Sequence, residues 1–87
     1  MTDEEIQFFH LVRNYAEPRY PYRLRDRPEY NPKSKMYTWG FESETTNQVR
    51  LLLVFKDQFD EAVAKNELGK EIIQNIDDAL KNTRQMG

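Results

Sequence analysis

All four prolines of this 87-residue chain fall between positions 18 and 32: Pro18, Pro21, Pro28 and Pro32. Proline lacks a backbone N–H and its ring clashes with the preceding helical turn, so no regular helix runs through this block. The residue before each proline is also pushed toward extended geometry. The chain is thereby divided. Up to Glu17 it is able to be helical, between 18 and 32 it must be strand, turn or loop, and after Pro32 no proline constrains it.

The first stretch predicts a helix over residues 3–16. Thr2 and Glu5 have the spacing of a capping box, and Asp3, Glu4 and Glu5 place negative charge on the first turn, where the helix dipole favours it. At ~100° per residue, Phe8, Phe9, Leu11, Val12, Tyr15 and Ala16 share one broad face. Glu17-Pro18 ends the helix. In the proline block, Tyr20, Tyr22 and Leu24 alternate with Pro21, Arg23 and Arg25, a period-2 pattern that predicts a strand over 20–25. Pro21 cannot donate to a ladder, so that strand must lie at a sheet edge. Residues 26–35 have turn and loop chemistry.

Residues 36–42 read as a strand with Tyr37, Trp39 and Phe41 on one side, and 49–55 as its hairpin partner. Residues 49–55 are apolar enough to suggest burial on both faces. From Asp57 the period becomes helical. Phe59 and Val63 fall out of phase with Leu68, Ile72, Ile73, Ile76, Ala79 and Leu80, and Asn66 and Gly69 stand between them. Two helices are therefore expected, over 58–65 and 68–83, with Arg84 at the negative end of the last dipole. The fold class expected is α+β: a single small domain over 1–87, order α-β-β-β-α-α, with a short antiparallel sheet covered by helices. Leu, Ile, Val and Phe number 20 of 87 residues, just above the roughly 20% below which chains tend to stay unfolded, so the core should be thin. An isolated hairpin is marginally stable in water, which is why residues 20–25 are needed as a third strand.

The chain is poor in catalytic equipment. It has no cysteine, which removes thiol nucleophiles, thiol redox chemistry and Cys-ligated zinc. His10 is its single imidazole, placed on the polar helix face. The carboxylates Asp57, Asp60, Glu61, Glu67, Glu71, Asp77 and Asp78 match no calcium-loop spacing and occupy positions where solvated helix faces need charge. Gly40, Gly69 and Gly87 form no phosphate cradle. The reading is therefore of no enzyme, no catalytic residue, no metal and no cofactor. No apolar run approaches the ~18 residues of a membrane span, and the acidic Met1–Glu5 start is unlike a signal peptide. A cytoplasmic address without membrane contact is expected.

Charge is what singles out a site. The net charge of −2 conceals a sequence of blocks: −3 over residues 1–17, +4 over 18–41 and −3 over 42–87. The middle block also holds six of the eleven aromatic residues. Tyr and Arg are enriched at protein-binding hot spots, and prolines lower the entropy cost of holding a loop for a partner. Segment 19–41 is thus the expected interface of a small non-catalytic protein-binding module. Such a module would be an adaptor, regulator or inhibitor, of a size frequent among phage- and plasmid-encoded proteins. The contact residues would be Arg19, Tyr20, Tyr22, Arg23, Arg25, Arg27, Tyr30, Lys33 and Lys35. The alternative is a nucleic-acid-binding domain, with the same cations on phosphates and with Tyr37 and Trp39 stacking on bases. In topology the α-β-β-β-α order is similar to the double-stranded-RNA-binding domain. That family places a basic cluster at the start of its last helix, where this chain has Lys56-Asp57-Gln58-Phe59-Asp60-Glu61, and membership is not inferred. A bland role for the arginines also stands, as guards of a sheet edge or as internal partners of the acidic helices. An open sheet edge leaves room for a homodimer.

Overall fold

The structure is a computed structural model that describes residues 1–81. The expected end of the last helix at 83, and Arg84, lie outside the described residues. The elements are α1 (Asp3–Ala16), β1 (Tyr22–Leu24), β2 (Glu29–Asn31), β3 (Met36–Ser43), β4 (Val49–Phe55), α2 (Lys56–Lys65) and α3 (Lys70–Lys81). The class is α+β, with a four-stranded antiparallel sheet and the order α-β-β-β-β-α-α. Among the described residues no helix is long and apolar enough to cross a membrane.

Local chemistry sets the helix ends. Thr2 Oγ1 accepts from the Glu5 N–H at 3.1 Å and Glu5 Oε1 accepts from the Thr2 N–H at 3.0 Å, the expected capping box. α2 starts directly after β4, with Gln58 Oε1 accepting from the Phe55 N–H at 3.0 Å. It ends at Asn66, whose left-handed φ of 55° breaks the helical path before α3.

The eight residues of β3 form the spine of the sheet. β4 pairs with it from Met36↔Phe55 to Glu42↔Val49. The opposite edge of β3 is shared by two short strands. β1 takes Phe41–Ser43 and β2 takes Met36–Thr38, so together they make one edge strand with a break. In the break Arg25, Asp26, Arg27 and Pro28 face only Trp39 and Gly40, a bulge of two extra residues. The sequence reading of one strand over 20–25 followed by loop is corrected here. β1 is shorter, and residues 29–31 are a strand because the first half of β3 would otherwise leave its edge groups unpaired.

All the helices lie on one face of the sheet. Phe8, Val12 and Ala16 of α1, Phe59 and Ala62 of α2, and Ile72, Ile76 and Leu80 of α3 close over Tyr22, Leu24, Tyr37, Trp39, Phe41, Leu52 and Val54. Trp39 sits in the middle of this core, its ring 5.7 Å from Phe8, and Phe59 stacks on Tyr37 at 4.4 Å. The other face carries no helix. Burial of 49–55 on both faces is therefore also corrected: Leu52 and Val54 are in the core, whereas Val49, Leu51, Leu53 and Phe55 are exposed.

Candidate protein-binding edge

The proline-rich segment is fastened where it leaves α1. The Tyr15 and Tyr20 hydroxyls both donate to Asp77 Oδ1 on α3, at 2.8 and 2.7 Å. The Arg19 guanidinium lies 4.1 Å over the Tyr15 ring and donates to the Tyr15 carbonyl at 2.7 Å. Glu17 Oε2 accepts from the Leu24 N–H at 3.1 Å. Burial, together with the bond to Asp77, pushes the Tyr20 phenol up to about 12, and the Asp77 bond raises Tyr15 as well. Asp77, expected on a solvated helix face, instead serves as the anchor for both rings. Tyr20 is thus part of the scaffold, whereas Arg19 stays exposed while resting on Tyr15.

Three further positions expected at an interface are core residues. Tyr22 is 4% exposed, Tyr37 8% and Trp39 0%. Their side chains point under the helices because odd and even residues of a strand face opposite ways, and the helices cover the Tyr37–Trp39–Phe41 side. Trp39 therefore stacks on no base in this fold.

The remaining residues lie along the outer edge. Arg23 is exposed opposite Glu42, on the face without helices. Arg25 crosses that face above Gly40 to reach Glu42, Nε to Oε2 at 2.7 Å. A Cβ on Gly40 would come within 2.9 Å of Arg25 Cδ, so the glycine leaves the space in which the arginine lies. Arg27 is exposed in the bulge. Tyr30 is 39% exposed and leans on Tyr37 with ring centroids 4.7 Å apart. Lys33 and Lys35 are exposed in the turn between β2 and β3. Asn31 Oδ1 holds that turn by accepting from the Lys33 N–H at 2.9 Å, and the Lys35 carbonyl accepts from the Lys56 N–H at 2.9 Å.

The acidic helices do not neutralise this edge. Among the described residues the ion pairs are Arg25–Glu42, Lys56–Asp60 and Lys65–Glu61. The last two are bonds within α2, where they raise Lys56 and Lys65 and lower Glu61. Arg23, Arg27, Lys33 and Lys35 form none. His10 is exposed on α1, edge-on to Phe9 at 5.5 Å. No three His, Asp or Glu side chains among the described residues converge as metal ligands do.

What sequence reasoning missed is the exposed apolar row Val49, Leu51, Leu53 and Phe55. The available signal was Arg50, a charge between apolar residues that marks the two sides of β4 as different; the core-side position of Arg50 hid it. Comparison with known protein families, with curated proteins and with solved structures finds no match for this chain.

Proposed function

We infer that this chain is a small non-catalytic protein-binding module, an adaptor, regulator or inhibitor, that presents its broken edge strand to an acidic partner surface. One observation carries the reading: Arg27, Lys33 and Lys35 stay exposed and without an ion pair among the described residues, on an edge fixed at both ends. A backbone held this way loses little loop entropy on docking, and complementary charge speeds encounter with an acidic surface. Tyr30, half-covered by Tyr37, supplies an aromatic contact of low conformational cost beside them. Two features support the non-catalytic part. The single imidazole is solvated, and Asp60 and Glu61 are engaged by lysines. A cytoplasmic setting fits the lack of cysteine.

Nucleic acid fits the edge less well. Binding of a single strand draws on a row of exposed rings as well as cations. With Tyr37 and Trp39 in the core, Tyr30 is what segment 26–41 leaves half-exposed.

The test is capture from a cell extract with immobilised wild-type protein and with the Arg27→Glu/Lys33→Glu/Lys35→Glu variant, each with and without nuclease. The reading expects a discrete protein, retained after nuclease by the wild type and lost by a variant whose thermal midpoint is unchanged. Capture that nuclease abolishes transfers the edge to nucleic acid. Equal capture by both proteins removes the edge from the interface.

A further inference from the structure

The face of the sheet that carries no helix has a relief that the strand register defines. Val49, Leu51, Leu53 and Phe55 of β4 form a ridge, each between 42% and 56% exposed. Beside it, on β3, stand Glu42, Gly40, Thr38 and Met36, with the Arg25 side chain lying over Gly40. Beyond that row lie Arg23 and Arg25 at the β1 rim. On the other side of the ridge is α3, whose Glu71, Gln74, Asn75 and Asp78 border a groove of about 570 Å³ along Leu51, Leu53 and Phe55. The ridge leaves on the order of 400 Å² of apolar surface in water, within the roughly 300–600 Å² of the largest patch on a typical monomer, a patch that often serves a function.

We propose that a second copy of this chain covers this face, related by a two-fold axis parallel to the strands and lying between β3 and β4. Such an axis exchanges the two sides of the face but keeps each residue at its own level along the strands. The ridge of one copy then lies over the β3 row of the other, twice over. Phe55 meets the partner's Met36, Leu53 the partner's Thr38, and Leu51 the partner's Gly40 with the arginine stem above it. The same exchange brings the basic β1 rim over the acidic flank of α3. The levels agree. Gln58, at the Phe55 end, donates to Glu71 at 2.8 Å, and Tyr20, which precedes β1, donates to Asp77. α3 therefore runs antiparallel to β4, and Asp78 stands at the end of the face where Arg23 and Arg25 lie. A two-fold axis across the strands would instead set ridge against ridge. A specific interface buries roughly 800 Å² per copy, of which the ridge supplies about half as the dry centre and the rims the remainder. The proposed contacts use none of Arg27, Lys33 and Lys35, so the dimer and the binding edge are tested at different residues.

Sedimentation equilibrium of the full chain across a range of concentrations tests this, with four variants. The wild type is expected to show a reversible monomer–dimer equilibrium. Leu53→Asp should be monomeric at every concentration while keeping its thermal midpoint, since that side chain is half in water already. Arg23→Glu and Asp78→Arg should each weaken the dimer by about tenfold, and the double variant should recover most of that loss, because the swapped charges meet again across the interface. A wild type that is monomeric throughout overturns the proposal, as does a dimer indifferent to Leu53→Asp. Failure of the double variant to recover overturns the assigned axis and with it the proposal. A monomer that still captures a partner through Arg27, Lys33 and Lys35 refutes the dimer alone, and a dimer that captures nothing refutes only the proposed function.

Discussion

Asp77 shows how much of this fold depends on a single side chain. One carboxylate oxygen receives two tyrosine hydroxyls and so ties the end of α1, the start of the proline block and α3 together. Its effect is readable through pH. The neutral phenol is the form the folded state favours, so the stabilisation from Tyr20 is present in full below its ordinary value of 10.0 and is lost as pH rises through about 12. An absorbance titration of tyrosinate should find Tyr20 among the last to ionise, and unfolding free energy should fall over that same alkaline window. Asp77→Asn keeps an acceptor but removes the charge, and Tyr20 should then ionise earlier. If the variant and the wild type titrate identically, the Asp77 anchor is absent. Asp77→Ala leaves two part-buried hydroxyls to find water and should cost about 1–3 kcal/mol in urea unfolding.

At the scale of elements, two devices differ in how far they show in the sequence. The capping box at Thr2 and Glu5 is written in adjacent residues, and Thr2→Ala should lower stability by about 1 kcal/mol. Equal denaturation midpoints for the two proteins would remove its role. The β2–β3 turn is less evident, because it places Lys35 at a φ of 54°, a left-handed conformation that a lysine does not announce. Lys35→Gly should therefore be tolerated, whereas Lys35→Val should cost about 1–2 kcal/mol, since a β-branched side chain clashes there. Both substitutions remove the same charge, so their difference in thermal midpoint isolates the backbone. The strand over 29–31 escaped the sequence pattern for a related reason. Glu29, Tyr30 and Asn31 between two prolines have turn composition, and their pairing comes from the unfilled edge of β3.

For the whole molecule the question is where the +4 block sends its charge. Folded in on itself, the block would draw on the acidic helices and its stability would fall with salt. Those helices instead pair within α2, and Arg23, Arg27, Lys33 and Lys35 face solvent. The thermal midpoint should accordingly change little between low and high salt, because exposed charges outside a close ion pair contribute little to stability. A steep fall on adding salt would mean that the basic block is an internal partner of the helices and would undercut the proposed edge. Partner capture, in contrast, should weaken as salt rises. The two responses separate charge that serves folding from charge that serves binding.

The sequence by itself determined the elements whose signals are local: the capped helix ending at Glu17-Pro18, the hairpin of β3 and β4, the shared side of Tyr37, Trp39 and Phe41, and the break between α2 and α3. Each rests on periodicity, capping or proline sterics acting within a few residues. Tertiary structure alone decided the rest. Which aromatic rings are hidden, whether Asp77 faces solvent or two tyrosines, and whether residues 49–55 are covered on one face or two all depend on where distant segments pack. Composition and charge blocks marked segment 19–41 as a place of cations, but they could not sort its covered rings (Tyr20 and Tyr22) from its exposed cations (Arg27, Lys33 and Lys35). That division follows from a physical fact no local pattern carries: three helices cover only one face of the sheet, leaving the other face and one edge to water.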